Sequence, residues 1–197
     1  MRVENLIDRH FEAACQNLAR QAYERMQPSL VIGIRRGGVW VSDAMKAALP
    51  KNIVFGEIGL QRSGTAKKNQ LNKVLKSLPQ WLCNLLRMSE ACARRIKHRC
   101  CRPKLYPHES LSFDPASEAL LQSAPQQIWI VDDAVDSGKS MASIQAKLQT
   151  YPQAHKLLYI ALTVTEKRPL LMPDVYLYNE GVLLRFPWSN DLKNNSK

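Results

Sequence analysis

Between residues 4 and 26 the apolar positions Leu6, Ile7, Phe11, Ala14, Leu18 and Ala22 recur at every third or fourth residue, the spacing of one helix face, and Pro28 and Ser29 end the pattern. The period then changes. Leu30-Val31-Ile32-Gly33-Ile34 is apolar throughout, as a strand buried on both faces must be. It runs into a basic glycine turn, Arg35-Arg36-Gly37-Gly38, after which the pattern predicts a helix over about 39–49 and a strand over 52–60. Asp114-Pro115 reads as the cap and first-turn proline of a short helix. Strands are predicted over 127–131, 157–164 and 175–178, with a helix over about 138–149. Such alternation predicts an α/β domain with a central, mainly parallel sheet flanked by helices, and ligands on such sheets sit at the carboxyl ends of the strands.

One stretch interrupts the alternation. Leu71, Val74, Leu75 and Leu78 form an apolar stripe, and after Pro79 a second one follows through Trp81, Leu82, Leu85, Leu86, Cys92, Ala93 and Ile96. This predicts a helical hairpin over 61–104, inserted into a single domain covering 1–197. Charge makes the insertion more distinctive. The chain has 28 Lys and Arg against 17 Asp and Glu, a net charge of +11. Twelve of the basic residues lie between Arg62 and Lys104, opposed by Glu90 alone, so the whole excess belongs to the insertion and the remaining body is neutral. Nucleic acid could bind through 62–104, although other readings compete with that one. The hairpin could be a lid using Arg62, Lys67 or Lys68, a surface for a second copy or a partner through Trp81, Leu85 and Leu86, or a solvated face over its own local core.

Composition excludes several classes. With 45% hydrophobic and 23% charged residues the chain can build a core. Arg2, Glu4, Asp8, Arg9 and Glu12 break up the first twenty residues, so no export signal is expected. No run approaches the roughly 18 apolar residues of a membrane span. Four of the five cysteines, Cys83, Cys92, Cys100 and Cys101, lie in the basic stretch without the paired spacing of structural zinc. They read as reduced thiols, and the expected location is the cytoplasm.

The most informative stretch runs from Ile128 to Ser140. Four apolar residues deliver Asp132 and Asp133 to a strand end, and a turn of small residues then opens a helix. Ser137, Gly138, Lys139 and Ser140 offer backbone N–H groups, hydroxyls and a helix N-terminus, a cradle suited to phosphate. Paired aspartates can accept from a sugar diol or hold a hard cation through its waters. Gly138-Lys139-Ser140 is not a Walker motif, because the position five residues before Gly138 is Asp133 rather than glycine.

From Val131 to Met141 the chain resembles the 5-phosphoribosyl 1-diphosphate (PRPP) signature of type I phosphoribosyltransferases, and Ile34-Arg35-Arg36-Gly37-Gly38-Val39 is similar to that family's pyrophosphate loop. The resemblance implies the Rossmann-like fold of that family. It also implies Mg²⁺-dependent transfer of phosphoribose from PRPP to a nitrogenous, purine-like base, with release of pyrophosphate. Asp132 and Asp133 would address the ribose hydroxyls and the metal, and Ser137, Gly138, Lys139 and Ser140 the 5′-phosphate. Arg36, Gly37 and Gly38 would hold the pyrophosphate, next to a cis peptide between Arg35 and Arg36. Asp136 would be the catalytic acid or base, and Arg36 would stabilise the leaving group.

The stretch Thr163-Val164-Thr165-Glu166-Lys167-Arg168-Pro169 and the close Phe186-Pro187-Trp188 resemble the 6-oxopurine (hypoxanthine/xanthine-guanine) members. That makes Lys167 the donor to the exocyclic oxygen of the base, with a solvated Glu-Lys-Arg loop as the alternative. Leu183 stands where relatives stack an aromatic ring on the base, and Ser189 stands where an acid often follows the tryptophan. The mobile catalytic loop of relatives follows the second strand, the place of 61–104 here. Homodimers are common in the family. A different reading is a PRPP-sensing regulator of the same fold, binding nucleic acid or a partner through the basic insertion.

Overall fold

The computed structural model describes residues 2–60, 89, 103–179 and 182–189. The elements are β1 (Arg2–Asn5), α1 (Asp8–Arg25), β2 (Leu30–Ile34), α2 (Gly37–Met45), β3 (Val54–Leu60), β4 (Leu111–Phe113), α3 (Pro115–Ser123), β5 (Gln127–Val135), α4 (Lys139–Leu148), β6 (Lys156–Val164), β7 (Val175–Tyr178) and β8 (Val182–Arg185). Six strands form one sheet in the order β4-β3-β2-β5-β6-β7, and β1 and β8 form a separate parallel pair. All neighbours in the large sheet run parallel except β4, which closes its edge antiparallel to β3. This is the expected sheet with an antiparallel edge added.

The apolar runs build two cores at once, because side chains alternate faces along a strand. Val31, Trp129, Val131, Leu158 and Ile160 pack with Phe11, Cys15, Leu18 and Ala22 of α1 and Val41 of α2. Leu30, Ile32, Ile128, Ile130 and Tyr159 pack on the other side with Leu121 of α3 and Met141, Ile144 and Leu148 of α4. Each such side chain, fully buried, contributes about 1.5–3 kcal/mol against the entropy of ordering the chain. Trp129 is fully buried at the centre of the sheet, and its indole N–H donates to the Met26 carbonyl at 3.0 Å, tying the end of α1 to β5. Burial pushes the Cys15 thiol up to about 12, as expected of an inert core cysteine.

Several boundaries differ from those predicted. Residues 2–5 are strand rather than the start of a helix, because Arg2–Asn5 finds a partner in Val182–Arg185, and the Leu6 N–H donates to the Arg185 carbonyl at 2.8 Å. α2 stops at Met45 and gives way to a tighter turn over Lys46–Ala48. β5 runs on to Val135, so Asp132 and Asp133 lie on the strand itself. Asp132, Ala134 and Val135 still pair with Ala161, Thr163 and Val164 of β6. The hairpin predicted over 61–104, with the lid, partner-surface and nucleic-acid readings attached to it, lies outside the described residues apart from Ser89, Pro103 and Lys104. Among the described residues no helix is long and apolar enough to cross a membrane.

Candidate active site

β2 delivers its basic glycine turn to the carboxyl edge of the sheet, next to the end of β5. The Arg35–Arg36 peptide is cis. α2 then starts at Gly37 with no side chain capping it, which leaves its first N–H groups without an acceptor of that kind. Glycine is needed there for room. A Cβ on Gly38 would lie 2.2 Å from the Val131 carbonyl oxygen, and one on Gly37 would lie 2.1 Å from an Asp133 carboxylate oxygen. The two consecutive arginines part company. Arg35 pairs with Glu57 of β3, whose hydrogen bond and charge hold the guanidinium above its ordinary pKa, and its N–H donates to the Ile58 carbonyl at 3.0 Å. Arg36 is exposed and has no ion-pair partner among the described residues.

At the end of β5 a cavity of about 260 Å³ is lined by Tyr106 and by every residue from Asp132 to Met141. Gly138 turns the chain into α4 with φ +69°, a left-handed conformation that favours glycine, and among the described residues the one side-chain acceptor at the helix start is Ser137, whose hydroxyl takes the Lys139 N–H at a long 3.4 Å. The turn is pinned from the segment after β6. Leu170 donates its N–H to the Ser137 carbonyl at 2.8 Å, and a Cβ on Gly138 would meet the Leu171 carbonyl oxygen at 2.6 Å. The Lys139 ammonium lies 3.7 Å from the centroid of the Tyr106 ring. Thr165 donates its hydroxyl to the Asp136 carboxylate at 2.5 Å.

Asp132 is buried and accepts the Asp133 N–H at 3.0 Å. Burial raises the Asp133 carboxyl above the ordinary range, against hydrogen bonds with Asp132, with the Trp188 indole N–H at 3.3 Å and with the Ala134 N–H at 2.9 Å. Trp188 is itself sandwiched. It stacks on Phe186 at 5.0 Å and on Trp40 of α2 at 6.0 Å, and meets Phe11 edge-on at 5.4 Å.

The residues singled out from the sequence thus separate into groups. Asp132, Asp133, Asp136, Ser137, Gly138, Lys139 and Ser140 share one cavity, and Gly37 touches Asp133 from the neighbouring turn. Lys167 is exposed, two residues beyond the Thr165 that holds Asp136. Leu183 is half-buried on β8, opposite Val3. Neither of these two lines the cavity. Three contributors were not foreseen: Tyr106 in the cavity wall, Thr165 on Asp136, and the Trp188 N–H on Asp133. Phe186-Pro187-Trp188 was a visible signal for the last, but nothing near Tyr106 in sequence marks it. Among the described residues no group of three or more His, Cys, Asp or Glu could hold a metal ion.

No family model matches the sequence, and no curated protein matches it. Solved structures match it in fold over nearly its whole length. A hypothetical protein from Neisseria gonorrhoeae with bound ppGpp gives a TM-score of 0.57 at 13% identity, over 95% of this chain and 89% of that one. A purine phosphoribosyltransferase from Pyrococcus horikoshii Ot3 gives 0.55 at 16%, over 95% and 94% of the two chains. The xanthine-guanine-hypoxanthine phosphoribosyltransferase of Helicobacter pylori gives 0.55 at 14%, over 98% and 97%. With its parallel sheet, its glycine turn after β2 and its Asp-Asp strand end, the chain has the fold of the type I phosphoribosyltransferases.

Proposed function

We propose that the protein transfers phosphoribose from PRPP to a purine-like nitrogenous base and releases pyrophosphate. The cavity at the end of β5 carries this reading. It has carboxyl groups at one end and a helix start with a lysine and two serines at the other. A ribose 5-phosphate has the complementary layout, a diol on one side and a dianion on the other. The N–H groups and dipole at the start of α4 suit the phosphate, with Lys139, Ser137 and Ser140 beside them. Asp132 and Asp133 suit the diol.

The same pair fits Mg²⁺, which usually takes one or two carboxylates and completes its shell with substrate phosphates and water. Burial raises the Asp133 carboxyl, and a cation bound beside it would favour its charged form. When bound there, Mg²⁺ supplies positive charge to the diphosphate.

Transfer breaks the bond between the ribose anomeric carbon and the diphosphate oxygen, and the diphosphate leaves with the electron pair. A nitrogen of the base forms the new bond and gives up its proton. Groups fixed in place before charge develops lower such a barrier most. Arg36 and the first N–H groups of α2 take the charge growing on the diphosphate. Asp136, oriented by Thr165, takes the proton. Lys167 is assigned to the exocyclic oxygen of the base, and Leu183 to its face.

The test is pyrophosphate release with PRPP, Mg²⁺ and a panel of purines and pyrimidines. Release with a 6-oxopurine, reduced about a hundredfold by Asp136→Asn, is the expected result. A second reading, a regulator that keeps the PRPP site without turnover, draws on the ppGpp-bound Neisseria protein of the same fold. PRPP binding without release from any base would favour it. Failure to bind PRPP would sink both.

A further inference from the structure

Every residue lining the β5 cavity comes from the β5–α4 connection except Tyr106. Tyr106 arrives from the segment before β4 and is half-buried. Its backbone N–H donates to the Ser143 hydroxyl at 2.8 Å, and that hydroxyl, fully buried, donates to the Lys139 carbonyl at 2.8 Å. Its ring lies under the Lys139 ammonium at 3.7 Å. Main chain and side chain of Tyr106 are therefore fastened to α4 by separate contacts, the main chain at Ser143 in its second turn and the ring at Lys139 in its first.

We infer that Tyr106 is a positioning residue of the phosphate site: its ring face holds the Lys139 ammonium at the cavity for the phosphate of the ligand. This role rests on the phosphate reading of the cavity given above. A lysine stem has many rotamers, and ordering it on binding weakens affinity. A ring that orders it beforehand removes part of that loss. The ring attracts the cation through its quadrupole from one side, and the N–H donors on the ammonium's far side stay available for phosphate oxygens. A hydroxyl on the ring is not required for this, whereas the π face is.

The probe is ribose 5-phosphate, with ribose as control, titrated calorimetrically into the full chain and its variants. Tyr106→Phe is expected to bind within about twofold of the unsubstituted chain, and Tyr106→Leu, which fills the space without a π face, about fivefold more weakly. Lys139→Met weakens binding too, and adding Tyr106→Leu to it causes no further loss. A second readout leaves Tyr106 untouched. With lysines reductively methylated using ¹³C, the Lys139 signal, assigned by its absence in Lys139→Met, should lie upfield from the ring current and stay there when ribose 5-phosphate is added.

Equal binding by Tyr106→Leu and the unsubstituted chain would overturn the inference. So would a Phe variant as weak as Leu, additive losses in the double variant, or a Lys139 signal at the position of a solvated lysine. If the unsubstituted chain binds ribose 5-phosphate no better than ribose, the phosphate reading itself fails and the role of Tyr106 goes with it.

Discussion

α2 begins at Gly37 and α4 directly after Gly138, each beyond the carboxyl end of a buried parallel strand, and neither N-cap residue caps its helix with a side chain. Gly37 abuts the Asp133 carboxyl, which Trp188 holds from the other side. In front of α4 lies an open cavity of about 260 Å³ with Lys139 and Tyr106 in its wall. α3 shows a third solution, since the Asp114 carboxylate accepts the Ala116 and Ser117 N–H groups at 3.2 and 3.1 Å and closes its start completely within the loop. Donors at a helix start need acceptors; α3 finds them in its own loop, whereas the N-cap residues of α2 and α4 supply none. The helix left most open marks the site.

The largest expected effect breaks the open start. Gly138→Ala places a side chain at φ +69° and 2.6 Å from a backbone carbonyl that cannot swing away. It should lower stability by about 3 kcal/mol and weaken ribose 5-phosphate binding more than tenfold, about the combined cost of a left-handed residue and an overpacked contact. Thermal melting and calorimetry check it. At α2 the two glycines should differ. Gly38→Ala meets the fixed Val131 carbonyl and should cost about 2–3 kcal/mol, whereas Gly37→Ala meets the movable Asp133 carboxyl and should cost about 1–2 kcal/mol in melting experiments.

The capped start carries a pH signature. Burial pushes the Asp114 carboxyl up, but hydrogen bonds from the Glu57, Ser117 and Ala116 N–H groups outweigh it and hold the group below its ordinary range. A lowered folded pKa means that the carboxylate's contribution is present above the unfolded value of about 4 and is lost as pH falls through the folded one. Asp114→Ala should cost about 1–2 kcal/mol at pH 7, and its difference from the unsubstituted chain should shrink as the pH falls from about 4 through the lowered folded value. The smallest effect is that of Trp188→Phe, which keeps the ring stack and removes the donor to Asp133. It should cost about 1 kcal/mol, and equal melting temperatures would show that the indole N–H does not hold the acid.

The sheet was legible because its strands are unbroken apolar runs, and Leu30–Ile34 is buried at all five positions. β1, β4 and β8 were not, since four or three residues of mixed polarity become strand only beside a partner. Arg2–Asn5 pairs with residues 182–185, and Leu111–Phe113 with 58–60. The phosphate turn was readable from Asp132 to Ser140 because its chemistry is contiguous. Tyr106, Thr165 and Trp188 act across 33, 29 and 55 residues respectively, counted to Lys139, Asp136 and Asp133. No local periodicity carries such information. The choice between the two arginines was also hidden, because it depends on Glu57 of the adjacent strand.

The small β1–β8 pair has a consequence for local opening. It joins positions 180 residues apart in the chain, as the Arg185 bond to Asn5 at 3.1 Å shows. Such a contact closes a long loop and costs entropy to form. Leu6, Leu184 and Phe186 pack on the same core as Val31 and Trp129 of the large sheet, but β8 has β1 alone as a strand partner among the described residues. The arm that carries Leu183, Phe186 and Trp188 is thus held by fewer ladder bonds than β5. Its opening would strip the indole from Asp133 while leaving β2, β5 and the cavity in place, so amide exchange in β8 should outrun exchange in β5.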